Sequence, residues 1–90
     1  MYNLEYTNKF KREYKLCLKR GYKEVFIQRV ITSIANKTPL APKHKAHKLS
    51  GDYQDCWECH IQPDWLLIRQ IDEVANTLIL ISTGTHADLF

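Results

Sequence analysis

The sequence predicts an α+β domain in which a helix hairpin packs on a small, mostly antiparallel sheet, with elements in the order β-α-α-β-β-β. Three observations lead there. The first seven residues alternate, with Tyr2, Leu4 and Tyr6 on one side and Asn3, Glu5 and Thr7 on the other. Two stretches with apolar residues at helical spacing follow, separated by Gly21. Beyond Ser50-Gly51-Asp52 come three strand-like runs divided by short turns. A chain of 90 residues accommodates one core, so residues 1–90 are read as a single domain.

Period two at the start of the chain is a strand with one buried face. Thr7 or Asn8 supplies the side-chain oxygen that caps the orphan amides of a helix. In that helix Phe10, Tyr14, Cys17 and Leu18 recur on one face, and Gly21 suits the left-handed position that ends it. Val25, Phe26, Val30, Ile31 and Ile34 form the apolar stripe of a second helix. It stops before Thr38-Pro39, because proline pushes the preceding residue out of helical geometry. With only about one residue between them, the two helices are expected to form an antiparallel hairpin. The polar stretch from Lys37 to Lys48, which contains Pro39 and Pro42, reads as a connecting loop. Tyr53–Ile61 then alternates, Trp65–Ile71 is nearly continuous apolar, and Thr77–Thr83 is apolar on both faces, as a central strand is. Gln62-Pro63-Asp64 and Asp72–Asn76 are of hairpin size, and Gly84–Phe90 returns to turn chemistry.

With 44% hydrophobic residues the composition excludes disorder, collagen and a disulfide-dense scaffold. No apolar run is long enough to span a membrane, and the polar start at Met1–Thr7 is not that of a signal peptide. Three cysteines cannot all pair within the chain, so free thiols in a reducing cytoplasm are expected. The net charge of +3 hides a segregation: residues 9–48 carry twelve lysines and arginines against Glu13 and Glu24. Residues 49–90 carry Arg69 alone against seven carboxylates. A polyanion fits along the basic half, although exposed helix faces are commonly lysine-rich without one.

Cys56-Trp57-Glu58-Cys59-His60 spells the C-x-x-C-H pattern of covalent haem attachment. Its context speaks against that chemistry. There is no export signal, Met1 is the only methionine, and a zinc site lacks a second cysteine pair. A thioredoxin-like dithiol needs a strand-to-helix setting, whereas this segment reads as the middle of a strand. Cys56 and Cys59 then face opposite sides and serve packing. The same alternation puts Cys56, Glu58, His60 and Gln62 on one face, with Tyr53, Trp57, Cys59 and Ile61 on the core side. His60 therefore lies on the open face beside Glu58, with Asp64 at the following hairpin. His47 in the preceding loop and His86 in the tail are placed to converge on it, while His44 is read as a solvated loop residue.

Three histidines and an aspartate beside a basic stretch suit RNA cleavage. The 2′-hydroxyl attacks the adjacent phosphate once a base takes its proton; an acid must then protonate the departing 5′-oxygen. Histidine serves either role near neutral pH, and a cation stabilises the phosphate oxygens. The nucleophile belongs to the substrate, so no cofactor or metal is required. The competing reading is a three-histidine metal site, since sequence alone does not position the imidazoles.

The stretches His47-Lys48-Leu49-x-Gly51, His60-Ile61-Gln62-Pro63-Asp64-Trp65-Leu66-Leu67-Ile68 and Thr83-Gly84-Thr85-His86-Ala87-Asp88-Leu89-Phe90 closely resemble the YafQ branch of the RelE/ParE toxin superfamily. The resemblance runs through the whole chain in element order, with its identities concentrated in residues 47–90. It implies a RelE-like fold and the toxin of a bacterial type II toxin–antitoxin module. The implied activity is metal-independent, ribosome-dependent endonucleolytic cleavage of mRNA in the cytoplasm, with a cognate antitoxin, the ribosome and the message as partners. His47, His60, Asp64, His86 and Phe90 match the positions such toxins use. The match implies His47 and His60 for proton transfer and phosphate binding, and His86 as general acid. Asp64 would orient a histidine or the ribose, and Phe90 would stack on a base. Many relatives carry an arginine where this chain has Trp57, so phosphate stabilisation is expected from Lys45, Lys48 or Arg69. Phe90 shares its position with the terminal carboxylate, a negative charge close to RNA, and its competing role is packing against the sheet. The rival reading is a ParE-like, non-enzymatic toxin that inhibits DNA gyrase, which has no need of this histidine set.

Overall fold

In the computed structural model, which describes residues 1–90, strand β1 (Asn3–Tyr6) leads into helices α1 (Asn8–Lys19) and α2 (Glu24–Ala35). Strands β2 (His47–Lys48), β3 (Trp57–Gln62), β4 (Trp65–Asp72) and β5 (Thr77–Gly84) follow, and helix α3 (His86–Leu89) closes the chain. The sheet order is β1-β5-β4-β3-β2. β1 runs parallel to β5, which the long helical excursion between β1 and the remaining strands permits, and every other pairing is antiparallel. The α+β class and the mostly antiparallel sheet are those the sequence predicts.

Local chemistry sets the element ends. Thr7 caps α1, its hydroxyl oxygen accepting from the Phe10 amide at 3.1 Å and donating to the Leu80 carbonyl at 2.9 Å. One side chain thus starts the helix and ties it to β5. Gly21 stands at φ 90°, the left-handed conformation that turns the chain out of α1. The helices pack on the sheet, α1 against β5 and α2 against β3. Between the layers lie Phe10 and Cys17 of α1, Ile27, Val30, Ile31 and Ile34 of α2, and Cys59, Trp65, Leu67, Leu78 and Leu80 of the strands. The buried Trp65 indole donates to Thr83 Oγ1 at 2.9 Å, and that hydroxyl donates to the Leu66 carbonyl at 2.7 Å, so neither polar group is left unpaired.

The structure corrects six details. The link between the helices has four residues, Arg20–Lys23, because α2 begins only at Glu24. In α2 the buried stripe includes Ile27, and Val25 faces solvent. Of the alternating start only Tyr2 enters the core; Leu4 and Tyr6 lie on an edge strand and stay partly exposed. The segment read as a loop contains a single 3-10 turn, Pro42–His44, and the two-residue edge strand β2. β3 starts at Trp57 because Gly51–Tyr53 wind into another 3-10 turn and Asp55 adopts φ 68°. Finally, the tail forms α3. Gly84 allows this: a Cβ there would lie 2.9 Å from the Asp88 Cβ.

Candidate active site

The open face of β3 carries Glu58 and His60, as the alternation requires. Glu58 is 4% exposed, an almost buried carboxylate. Antiparallel pairing of β2 with β3 sets His47 directly opposite Glu58. His47 Nε2 lies 3.5 Å from Glu58 Oε1, and His60 Nε2 lies 3.6 Å from the same oxygen. Both rings are held from behind: His47 Nδ1 meets the Lys45 carbonyl at 2.9 Å, and His60 Nδ1 meets the Pro63 carbonyl at 3.2 Å. A carbonyl only accepts, so each Nδ1 carries its proton. The proton that comes and goes is then on Nε2, on the side of Glu58.

His86 arrives from the other end of the chain. It opens α3, and Asp64 Oδ1 in the β3–β4 turn accepts from its backbone amide at 3.0 Å and from its Nδ1 at 2.6 Å. These contacts, the backbone amide foremost, hold the Asp64 carboxyl below its ordinary value. The His86 ring stands edge-on to His60, 5.5 Å between centroids. Ligating atoms of Glu58, His60 and His86 all lie within 4.8 Å of one another, a spacing that also fits a bound transition-metal ion.

The C-terminal turn is clamped. Thr85 and Asp88 form a capping box, and Arg20 at the end of α1 donates to both Asp88 oxygens at 2.6 and 3.3 Å. Arg20 first, and then the Thr85 amide, pull the Asp88 carboxyl down to about 2. Phe90 beyond it is 63% exposed, with its ring edge-on to Tyr53 at 5.9 Å. Lys9 sits 5.8 Å from the Tyr53 ring and donates to Ser82 Oγ at 3.0 Å, which ties the basic start of α1 to this surface.

Of the residues singled out in the sequence, the fold brings together His47, His60, Asp64 and His86. Lys45 and Lys48 flank His47 and are exposed, and Phe90 stands at the rim with an open face. Arg69 is not among them. It is 8% exposed and lies on the Cys59 side of the sheet, beneath Trp57, with 5.8 Å from the guanidinium carbon to the indole. Trp57 shares that side yet is 39% exposed, since Arg69 is its packing partner. His44 is not a free loop residue: it is half-buried, and its Nδ1 meets the His60 carbonyl at 2.7 Å. Glu58 is the principal residue that sequence reasoning left out of the site, although strand alternation already placed it beside His60. Cys59 is fully buried and its thiol is pushed up to about 11, the reverse of an activated thiolate.

A helix pair on a mostly antiparallel sheet, with histidines and carboxylates gathered where β3 meets the C-terminal turn, is the arrangement that the resemblance to RelE-like toxins implies. Residues 2–90 match the family model described as bacterial toxin of type II toxin-antitoxin system, YafQ, and the chain belongs to that family. It is 33% identical over 89 residues to the mRNA interferase toxin YafQ of Escherichia coli strain K12, covering 98% of this chain and 95% of that protein. A metal-bound toxin from Helicobacter pylori superposes with a TM-score of 0.94 at 40% identity over the whole of both chains. The toxin fold of the E. coli DinJ-YafQ toxin-antitoxin complex matches with a TM-score of 0.88 at 31% identity, over 99% of this chain and 97% of that one.

Proposed function

We propose that this chain is the toxin of a type II toxin–antitoxin module and an mRNA interferase, cutting message on the ribosome through the substrate's own 2′-hydroxyl. The observation that carries the reading is the pairing of two imidazole systems of different type. His60 and His47 turn Nε2 toward a buried carboxylate, and His86 has Nδ1 fixed by Asp64 and Nε2 free.

In this reaction His60 Nε2 takes the 2′-hydroxyl proton, and the Glu58 charge beside it stabilises the imidazolium that forms. The 2′-oxygen attacks phosphorus. Negative charge grows on the non-bridging oxygens and is met by His47 with Lys45 and Lys48. The bond to the 5′-oxygen breaks as protonated His86 delivers its Nε2 proton there. The products are a 2′,3′-cyclic phosphate and a 5′-hydroxyl. Asp64 accepts from Nδ1 and so keeps the His86 ring in one tautomer with Nε2 toward the substrate, the part a carboxylate plays in a catalytic triad. Phe90 offers a stacking face for an unpaired base. The antitoxin's part is to cover or distort this surface.

A second reading rests on the spacing of Glu58, His60 and His86. One carboxylate oxygen and two imidazole nitrogens make a ligand set for a divalent ion, and the metal-bound Helicobacter toxin shares the fold. An ion held there occupies the nitrogens that proton transfer needs. Cleavage by protein dialysed against a chelator, and its inhibition by added zinc or copper, separates the catalytic set from a metal-dependent one.

The test of the main reading is expression without an antitoxin. Growth arrest is expected, with relief by His60→Ala and by His86→Ala. A double alanine variant that arrests growth as fully as the parent overturns the nuclease reading. Arrest with intact messages and inhibited supercoiling supports the gyrase alternative.

A further inference from the structure

The guanidinium of Arg69 is an anomaly. The residue is 8% exposed, its buried Nε has no hydrogen-bond partner, and no carboxylate lies within ion-pair distance. Its neighbours are the Cys59 thiol, the Tyr2 phenol and the Trp57 ring; Asp55 and Glu73 line a second cleft with it but stay beyond ion-pair distance, and Glu73 accepts instead from the Tyr2 hydroxyl at 2.7 Å. A buried charge left unpaired is costly, so its presence calls for an explanation, and a partner arriving from outside supplies one.

Arg69 forms part of the wall of a cleft of about 310 Å³ between the end of α2 and the sheet. Tyr2, Ile34, Leu40 and Ile71 make its apolar walls, and Lys37 stands at the mouth with its ammonium 4.6 Å from the Tyr2 ring. No carboxylate lines it, and Thr38 adds a hydroxyl. Two cations above an apolar floor suit an anion carried on an aliphatic stem.

We propose that this cleft receives a carboxylate side chain of the antitoxin, held by Arg69 within and Lys37 at the rim. The inference rests on the toxin–antitoxin reading above. A protein carboxylate fits better than an RNA phosphate for two reasons. A phosphodiester has sugar and base on either side and needs an open groove, whereas these walls are mostly carbon. The cleft also lies on the Cys59 side of the sheet, opposite the face where Glu58 and the histidines would hold a message. The antitoxin would therefore be anchored at a point remote from the chemistry and extend from there toward the site.

Two variants and two small anions test this. Removing an unpaired buried charge by Arg69→Met is expected to leave the thermal stability of the free chain unchanged or raised. Affinity for the cognate antitoxin should fall at least about tenfold, with cleavage of message retained. Lys37→Asn, an exposed change that keeps a residue tolerant of the left-handed backbone at φ 59°, should weaken antitoxin binding about threefold. In the free chain, propionate should shift the Arg69 side-chain NMR signal at lower concentration than inorganic phosphate does. Both variants binding antitoxin like the parent overturns the proposal. So does normal antitoxin binding combined with lost affinity for RNA, which assigns the cleft to nucleic acid. A parent chain that binds no antitoxin brings down the underlying reading and this proposal together, and is recognised because its failure is independent of Arg69 and Lys37.

Discussion

His86 and Asp64 are joined twice through a single oxygen: Asp64 Oδ1 accepts from both the backbone amide and the ring Nδ1 of His86, at 3.0 and 2.6 Å. The backbone bond fixes where the residue stands, and the ring bond fixes which nitrogen is left for substrate. Asp64→Asn keeps the size but replaces the carboxylate, so the amide can turn its NH2 toward the ring and no longer fixes which nitrogen of His86 faces the substrate. We expect cleavage to fall about 100-fold, chiefly in kcat, the loss typical of removing a general acid. Single-turnover cleavage on programmed ribosomes measures it.

Asp88 ties the C-terminal turn to α1 through Arg20, and its carboxyl is held at about 2 against an ordinary 3.8. A carboxyl lowered in the folded state contributes stability that is complete above the unfolded value. That contribution is lost as pH falls through the folded one. The turn over residues 85–90 should therefore loosen between pH 4 and 2, visible in the Thr85 and Asp88 amide signals, while Asp88→Asn loosens it at neutral pH.

Gly84 is required by contact. Gly84→Ala sets a methyl group 2.9 Å from the Asp88 Cβ, so α3 must shift away from β5. A cost of about 1–3 kcal/mol is expected, as for other overpacked sites. Thermal denaturation gives its size, and activity should fall with it because His86 and Phe90 ride on the same turn.

Phe90 and Tyr53 form an edge-on pair in which Phe90 keeps an open face. If a base stacks there, Phe90→Ala removes roughly 1–3 kcal/mol of binding, or about 5- to 150-fold in KM, with kcat little changed. Tyr53→Ala should give a smaller effect in the same direction, since Tyr53 only props the stacking ring.

Much of this surface was legible in the sequence, for reasons that differ by residue. Strand alternation put His60 and Glu58 on one face and Cys59 and Ile61 in the core, because period two survives from sequence to sheet. The partnership of His47 with Glu58 depends on β2, and a strand of two residues has no period to detect. His86 was recognisable through the Thr83–Phe90 resemblance, but the helix beneath it depends on a capping box closed by Arg20, a contact across 68 positions. Arg69 shows the limit most plainly. Its side of the sheet follows from strand register, and its lack of a partner becomes visible only once the core is packed around it.

The most direct measurement is the chemistry of the cut ends. Chelator-treated protein is incubated with programmed ribosomes, and the 5′ and 3′ termini of the fragments are identified. Attack by the 2′-hydroxyl predicts a 5′-hydroxyl facing a 2′,3′-cyclic phosphate, absent with His60→Ala and with His86→Ala. Fragments that begin with a 5′-phosphate, or cleavage that disappears when metal is stripped and returns when it is restored, would contradict proton transfer by His60 and His86 as the source of the activity.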